Sequence, residues 1–137
     1  MSGTGFVRPP RVDTQERPRR LVLLVDDDIR SARIFVRMLR EDGFDVEVVH
    51  DGAHAIGRLS RAPMPDVLVT DLQMPYADGI AVAKYARSEN PALPIFMVTG
   101  YPEIVAARAK AFDPEPRIFT KPLDYPTFAK ELDRSGT

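Results

Sequence analysis

Three consecutive carboxylates, Asp26, Asp27 and Asp28, follow the apolar run Leu21 to Val25, and a further one, Asp71, closes the run begun by Val67-Leu68-Val69. Thr99 follows Ile95 to Val98, and Lys121 follows Arg117 to Thr120. Carboxylates crowded together repel one another, and at neutral pH they either hold protons or recruit a cation. An all-oxygen set favours a hard ion, and Mg²⁺ commonly takes one or two carboxylates, keeps several waters and binds phosphate oxygens alongside. A hydroxyl and an ammonium on the same edge complement the oxygens of a phosphoryl group. Together these residue types suit in-line phosphoryl transfer onto a carboxylate, with Asp as the nucleophile.

That chemistry requires these four segments to meet at one edge. Leu21 to Val25 reads as a strand buried on both faces. Ile29, Ala32, Val36 and Leu39 recur at helical spacing, with Asp28 placed to cap the helix and Gly43 to stop it. Asp45 to His50 alternates as a half-exposed edge strand. A short helix carries Ala55, Ile56 and Leu59 and is closed by Pro63 and Pro65. Val67 to Val69 is a strand, Gly79 to Ser88 a helix, Ile95 to Val98 a strand, Glu103 to Phe112 a helix, Arg117 to Thr120 a strand and Tyr125 to Asp133 a helix. Five strands alternating with five helices imply an α/β, doubly wound parallel sheet with right-handed crossovers. In such a sheet the ligand site lies outside the carboxyl ends of the strands, which is where the chemistry-bearing residues fall.

Leu-Leu-Val-Asp-Asp-Asp, Asp71-Leu72-Gln73-Met74-Pro75 with Asp78-Gly79, Met97-Val98-Thr99-Gly100 and Thr120-Lys121-Pro122, in this order, resemble the receiver domain of two-component response regulators. The resemblance spans residues 21–134 and implies a flavodoxin-like, receiver-type fold. It implies that Asp71 is the phosphoacceptor, taking its phosphoryl group from a phosphohistidine on a histidine kinase or a histidine phosphotransfer protein. It also implies that Asp26 and Asp27 place Mg²⁺, Asp27 directly and Asp26 through water, and that Asp71 and the Gln73 backbone carbonyl join the metal. Thr99 and Lys121 would contact the phosphoryl group. Gly100 leaves one side of the site open, and Met74 and Pro75 shape the loop. The family usually carries Tyr or Phe three residues before the Lys, as an aromatic switch; here that position is Ile118. Phe119 is one step along the strand and so points to the opposite face. Thr99, Ile118 and Tyr101 are the switch candidates, with Tyr101 the candidate substitute ring. Asp113-Pro114-Glu115-Pro116 is a second departure, beside a surface often used for dimerisation or output, so a homodimer is left open.

The absence of Cys removes disulfides, thiolate nucleophiles and Cys-ligated metal sites. His50 and His54, the two histidines, read as surface residues. Residues 1–20 hold three Pro and five Arg against Asp13 and Glu16, a net +3 that leaves −4 for the rest. That stretch reads as a flexible Arg/Pro-rich arm preceding a receiver domain at 21–134. An Arg-rich contact to nucleic acid is the weaker reading of the arm. No apolar run reaches the roughly 20 residues of a membrane span, and no secretory signal precedes Leu21, so a cytoplasmic protein is expected. With no effector after residue 134, output is expected through protein contact or relay, by a signalling phosphoacceptor that is not an enzyme and has no downstream target legible in the residues. The competing reading is a Mg²⁺-dependent phosphatase with Asp26 as nucleophile, since Asp26 and Asp28 have the required spacing. Such enzymes need Thr or Val soon after the second Asp, where Ile29-Arg30 stands. An inactive receiver serving as a binding scaffold is the third.

Overall fold

In a computed structural model, residues 19–71, 76–135 are described. Five parallel strands, β1 (Leu21–Asp26), β2 (Asp45–Val49), β3 (Val67–Asp71), β4 (Ile95–Thr99) and β5 (Arg117–Thr120), form one sheet in the order β2-β1-β3-β4-β5. Helices α1 (Ile29–Glu41), α2 (Gly52–Leu59), α3 (Tyr76–Glu89), α4 (Pro102–Ala109) and α5 (Tyr125–Arg134) link and follow them. The strand order reverses between β1 and β3, so both strands direct their carboxyl ends into one crevice.

Both faces of the sheet are covered, as the wholly apolar centres of β1, β3 and β4 require. Val22, Leu24, Val67, Val69, Phe96 and Val98 pack under α1 and α5 against Phe35, Leu39 and Phe128. Leu23, Val25, Leu68, Ile95 and Met97 pack on the other side against residues of α2, α3 and α4 such as Leu59, Val82 and Val105. Phe128 meets Phe35 and Phe96 edge-on, with each pair of ring centroids 5.4 Å apart. Such ring pairs contribute about 0.5–1.5 kcal/mol beyond their buried area. β2 is an edge strand, as expected from its mixed composition; Val46 is buried and Asp45 and Glu47 are exposed, but Val48, which the alternation pairs with Val46, is exposed as well.

Local signals set the helix that flanks the crevice. Asp28 caps α1, its Oδ1 accepting from the Arg30 and Ser31 amides at 3.0 and 3.3 Å. At the other end Gly43 has φ 95°, its N–H bonds the Arg40 carbonyl, and the Phe44 N–H bonds the Leu39 carbonyl. This is a Schellman stop, closed by apolar contact of the buried Phe44 with Leu39's cluster. Two helices differ from the sequence reading. α3 starts at Tyr76, before Gly79, and α4 ends at Ala109 because the chain turns there, with the Phe112 N–H on the Ala109 carbonyl and the Phe112 ring returned to the core. Arg19 and Arg20, counted with the arm by composition, lie against the domain. Arg20 donates to the Leu132 carbonyl and the Ser135 hydroxyl, each at 2.9 Å, and Arg19 approaches Asp45 at 3.6 Å. The rest of the arm, 1–18, lies outside the described residues.

Candidate functional site

Parallel pairing of β1 with β3 sets Asp26 opposite Asp71, and pairing of β4 with β5 sets Thr99 opposite Thr120. The Lys121 N–H then bonds the Thr99 carbonyl at 2.9 Å, which carries Lys121 over the same edge. The peptide between Lys121 and Pro122 is cis. Lys121 Nζ stands 2.6 Å from Asp71 Oδ1, and the Asp71 side chain is 10% exposed. Apart from this ion pair no aligned hydrogen bond reaches the buried Oδ1.

Asp26 is fully buried. Its Oδ1 accepts from the Asp28 amide at 2.9 Å and its Oδ2 from the Ser31 hydroxyl at 2.8 Å. Burial nevertheless pushes its pKa up to about 6, and the Asp71 charge adds to the rise, against the lowering effects of the two hydrogen bonds and of Lys121. Burial also raises the Asp71 pKa; Lys121 opposes the rise, and the charges of Asp27 and Asp28 reinforce it. The edge therefore holds more negative charge than one ammonium compensates.

Asp27 is exposed at the mouth of the crevice. Among the described residues Asp26, Asp27 and Asp71 do not close into a group of three around one ion position. The donor set still fits a hard cation that keeps much of its water: several carboxylates gathered at one edge and facing a single ammonium. Gln73, expected to offer a carbonyl, and Met74 and Pro75 lie outside the described residues.

Thr99 is buried, and its Oγ1 accepts from the Tyr101 amide at 2.9 Å. A Cβ built on Gly100 would meet nothing within 4 Å, so that side of the site is open. Tyr101 leads into α4 and is 46% exposed. Ile118 is half-buried against the cluster containing Met97 and Val105, whereas Phe119 packs on the opposite face with Phe96 at 5.9 Å. Ile118 and Phe119 thus point to opposite faces of the sheet, as period-2 alternation requires.

His50, read from sequence as a surface residue, has a second role. It is exposed, but its Nδ1 lies 2.9 Å from the Asp26 backbone oxygen, so Nδ1 carries the proton and donates. It thereby fixes the peptide joining Asp26 to Asp27. The hint was its place just after β2, the strand beside β1; nothing in its own type or spacing pointed to it.

Outside this edge a cleft of about 320 Å³ runs from Asp71 and Lys121 between α1 and the segment after β5, lined by Ile34, Phe35, Met38, Pro122 and Leu123. No helix among the described residues is long and apolar enough to cross a membrane.

The family model of the response regulator receiver domain matches residues 22–133. The transcriptional regulatory protein ZraR of Salmonella typhimurium is 30% identical over 118 residues, 83% of this chain and 26% of ZraR. The chain thus spans about a quarter of the length of that relative. The response regulator receiver protein CpdR of Brucella abortus is 29% identical over 113 residues, covering 82% of this chain and 93% of CpdR. A response regulator receiver protein from Sinorhizobium medicae superposes with a TM-score of 0.75 at 30% identity, over 86% of this chain and 94% of that one. Strand order, the carboxylates facing one another across β1 and β3, and these matches agree: the chain belongs to the receiver domains of response regulators in two-component systems.

Proposed function

We propose that Asp71 accepts a phosphoryl group from a phosphohistidine on a histidine kinase or histidine phosphotransfer protein, and that residues 21–134 form the unit that does so. The observation that carries this reading is the Asp71 carboxylate itself, held at the end of β3 across from Asp26 with Lys121 Nζ at 2.6 Å. An Asp71 oxygen attacks phosphorus while the bond from phosphorus to the imidazole nitrogen breaks. The electron pair returns to the imidazole, which takes up a proton. Lys121 moves from the carboxylate to a phosphoryl oxygen. Thr99, whose Oγ1 now accepts from Tyr101, donates its O–H to another. Mg²⁺ held by Asp26, Asp27, Asp71 and the Gln73 carbonyl would neutralise charge on the phosphoryl oxygens.

Drawing Thr99 toward the phosphoryl group strains its bond to the Tyr101 amide, so the start of α4 is where the phosphorylated state differs. With Ile118 aliphatic, Tyr101 is the ring placed to report that change. The donor protein approaches along the apolar cleft between α1 and Leu123, which leads to Asp71. Output is through protein contact or relay, in a cytoplasmic setting, and the chain acts as a phosphoacceptor that assists its own phosphorylation and dephosphorylation rather than as an enzyme on other substrates. The hydrolase reading is disfavoured because Asp26, its nucleophile, is fully buried with both oxygens hydrogen-bonded.

Incubation with acetyl phosphate and Mg²⁺ should add one phosphoryl mass to the intact protein. Asp71→Asn should abolish the adduct and Asp27→Asn should weaken it about tenfold or more, the loss of one charged ligand. An adduct that persists in Asp71→Asn contradicts the assignment.

A further inference from the structure

Helix α1 carries Arg30, Arg33, Arg37 and Arg40 at spacings of three, four and three, which sets four guanidiniums in one stripe. All four residues are exposed. The fold gains little from this arrangement. Like charges three and four apart on a helix are destabilising, and Arg30 and Arg33 stand near the N-terminus, where the helix dipole disfavours cations. The first turn itself holds no acidic residue, and the acid at that end is the capping Asp28. Arg40 has a local role, donating to the Val46 carbonyl at 3.2 Å on the open edge of β2. Arg33 and Arg37 have no carboxylate partner among the described residues.

The stripe borders a groove of about 690 Å³ between α1 and β2. Its apolar lining comes from Ile29, Val36 and Val48, of which Ile29 is 56% and Val48 37% exposed, and Arg33, Arg37 and Arg40 outnumber the one lining carboxylate, Glu41. This is the flank of α1 turned away from Asp71; the cleft that leads to Asp71 is lined by Ser31, Ile34 and Met38 on the other flank. The two grooves therefore share a helix but present different residues.

We propose that the α1–β2 groove docks an acidic amphipathic helix of a protein partner, whose apolar side chains cover Ile29, Val36 and Val48 while its carboxylates pair with Arg33 and Arg37. Charge complementarity selects the acidic partner, and the apolar floor selects a protein helix over a nucleic-acid backbone, which would use the guanidiniums and leave Val48 and Ile29 uncovered. This goes beyond the phosphoacceptor reading and does not rest on it, because the groove exists without phosphorylation and lies on the other flank.

The test titrates the full unphosphorylated chain into a fluorescent synthetic helix of roughly 18 residues, with Leu at i, i+3, i+4 and i+7 and Glu beside them. Saturable binding is expected, with amide shifts along α1 and β2 and affinity falling as salt rises. Arg33→Glu with Arg37→Glu, and separately Val48→Asp, should each weaken it about tenfold or more, while Ile34→Asp on the other flank leaves it unchanged. Both groove variants should still take a phosphoryl group from acetyl phosphate, which shows that they fold. Absence of saturable binding, affinity flat in salt, or affinity that survives the double charge reversal overturns the proposal. Tighter binding of a DNA duplex to the same residues, or self-association of the chain through them, overturns it as well.

Discussion

Asp26 shows how a residue can be well bonded and still be electrostatically unfavourable. Two hydrogen bonds hold its carboxylate, yet desolvation dominates and its pKa stands near 6 against an ordinary 3.8. Between those values the folded chain holds a proton that the unfolded chain has lost. Stability without metal therefore falls as pH rises from about 4 to about 6 and levels off above, by an amount on the order of 3 kcal/mol. A cation at the same edge competes with that proton. Mg²⁺ should accordingly raise the thermal midpoint most above pH 6 and progressively less toward pH 4; a Mg²⁺ increment of constant size over this range would contradict the assignment of Asp26 to the metal edge. His50 acts on the same group through the backbone. His50→Ala should weaken Mg²⁺ binding, measured calorimetrically, by about 1 kcal/mol, the worth of one hydrogen bond, and His50→Asn, which can present an N–H at a similar place, should recover most of it. The carboxylates, Thr99 and Lys121 were legible because each stands at or just past the end of a segment that reads as a strand. His50 was not, because its contact is to a neighbouring strand's carbonyl, and strand adjacency is a tertiary fact.

At the scale of elements, α1 is placed by its two ends. Asp28 caps one, and Gly43 turns the chain at the other in a conformation that a side chain resists. No heavy atom lies within 4 Å of a Cβ built on Gly43, so Gly43→Ala tests backbone conformation alone. It should cost about 1 kcal/mol in urea unfolding, and a neutral result would contradict the Schellman account of the stop. These signals were readable from residue types, as was the edge position of β2 from its alternation. Helix limits were less so. α4 was extended to Phe112 because that ring continues the apolar pattern, whereas the ring reaches the core from a turn after Ala109. The start of α3 before Gly79 was missed because glycine there reads as a beginning rather than an interior.

For the whole molecule, the order β2-β1-β3-β4-β5 brings residues separated by almost a hundred positions to one edge. Alternation of strands and helices made the parallel sheet legible, and the strand-end rule made the edge legible. The pairing of Lys121 with Asp71, and the division of α1 into one flank that leads to Asp71 and another lined by arginines, required the folded chain. The central claim is that this edge delivers phosphoryl groups to Asp71. It is tested most directly by phosphorylating the chain with acetyl phosphate and Mg²⁺, reducing the acyl phosphate with borohydride and locating the resulting homoserine by peptide sequencing. Homoserine at position 71 is the expected result, and homoserine at position 26, or at neither, would contradict it.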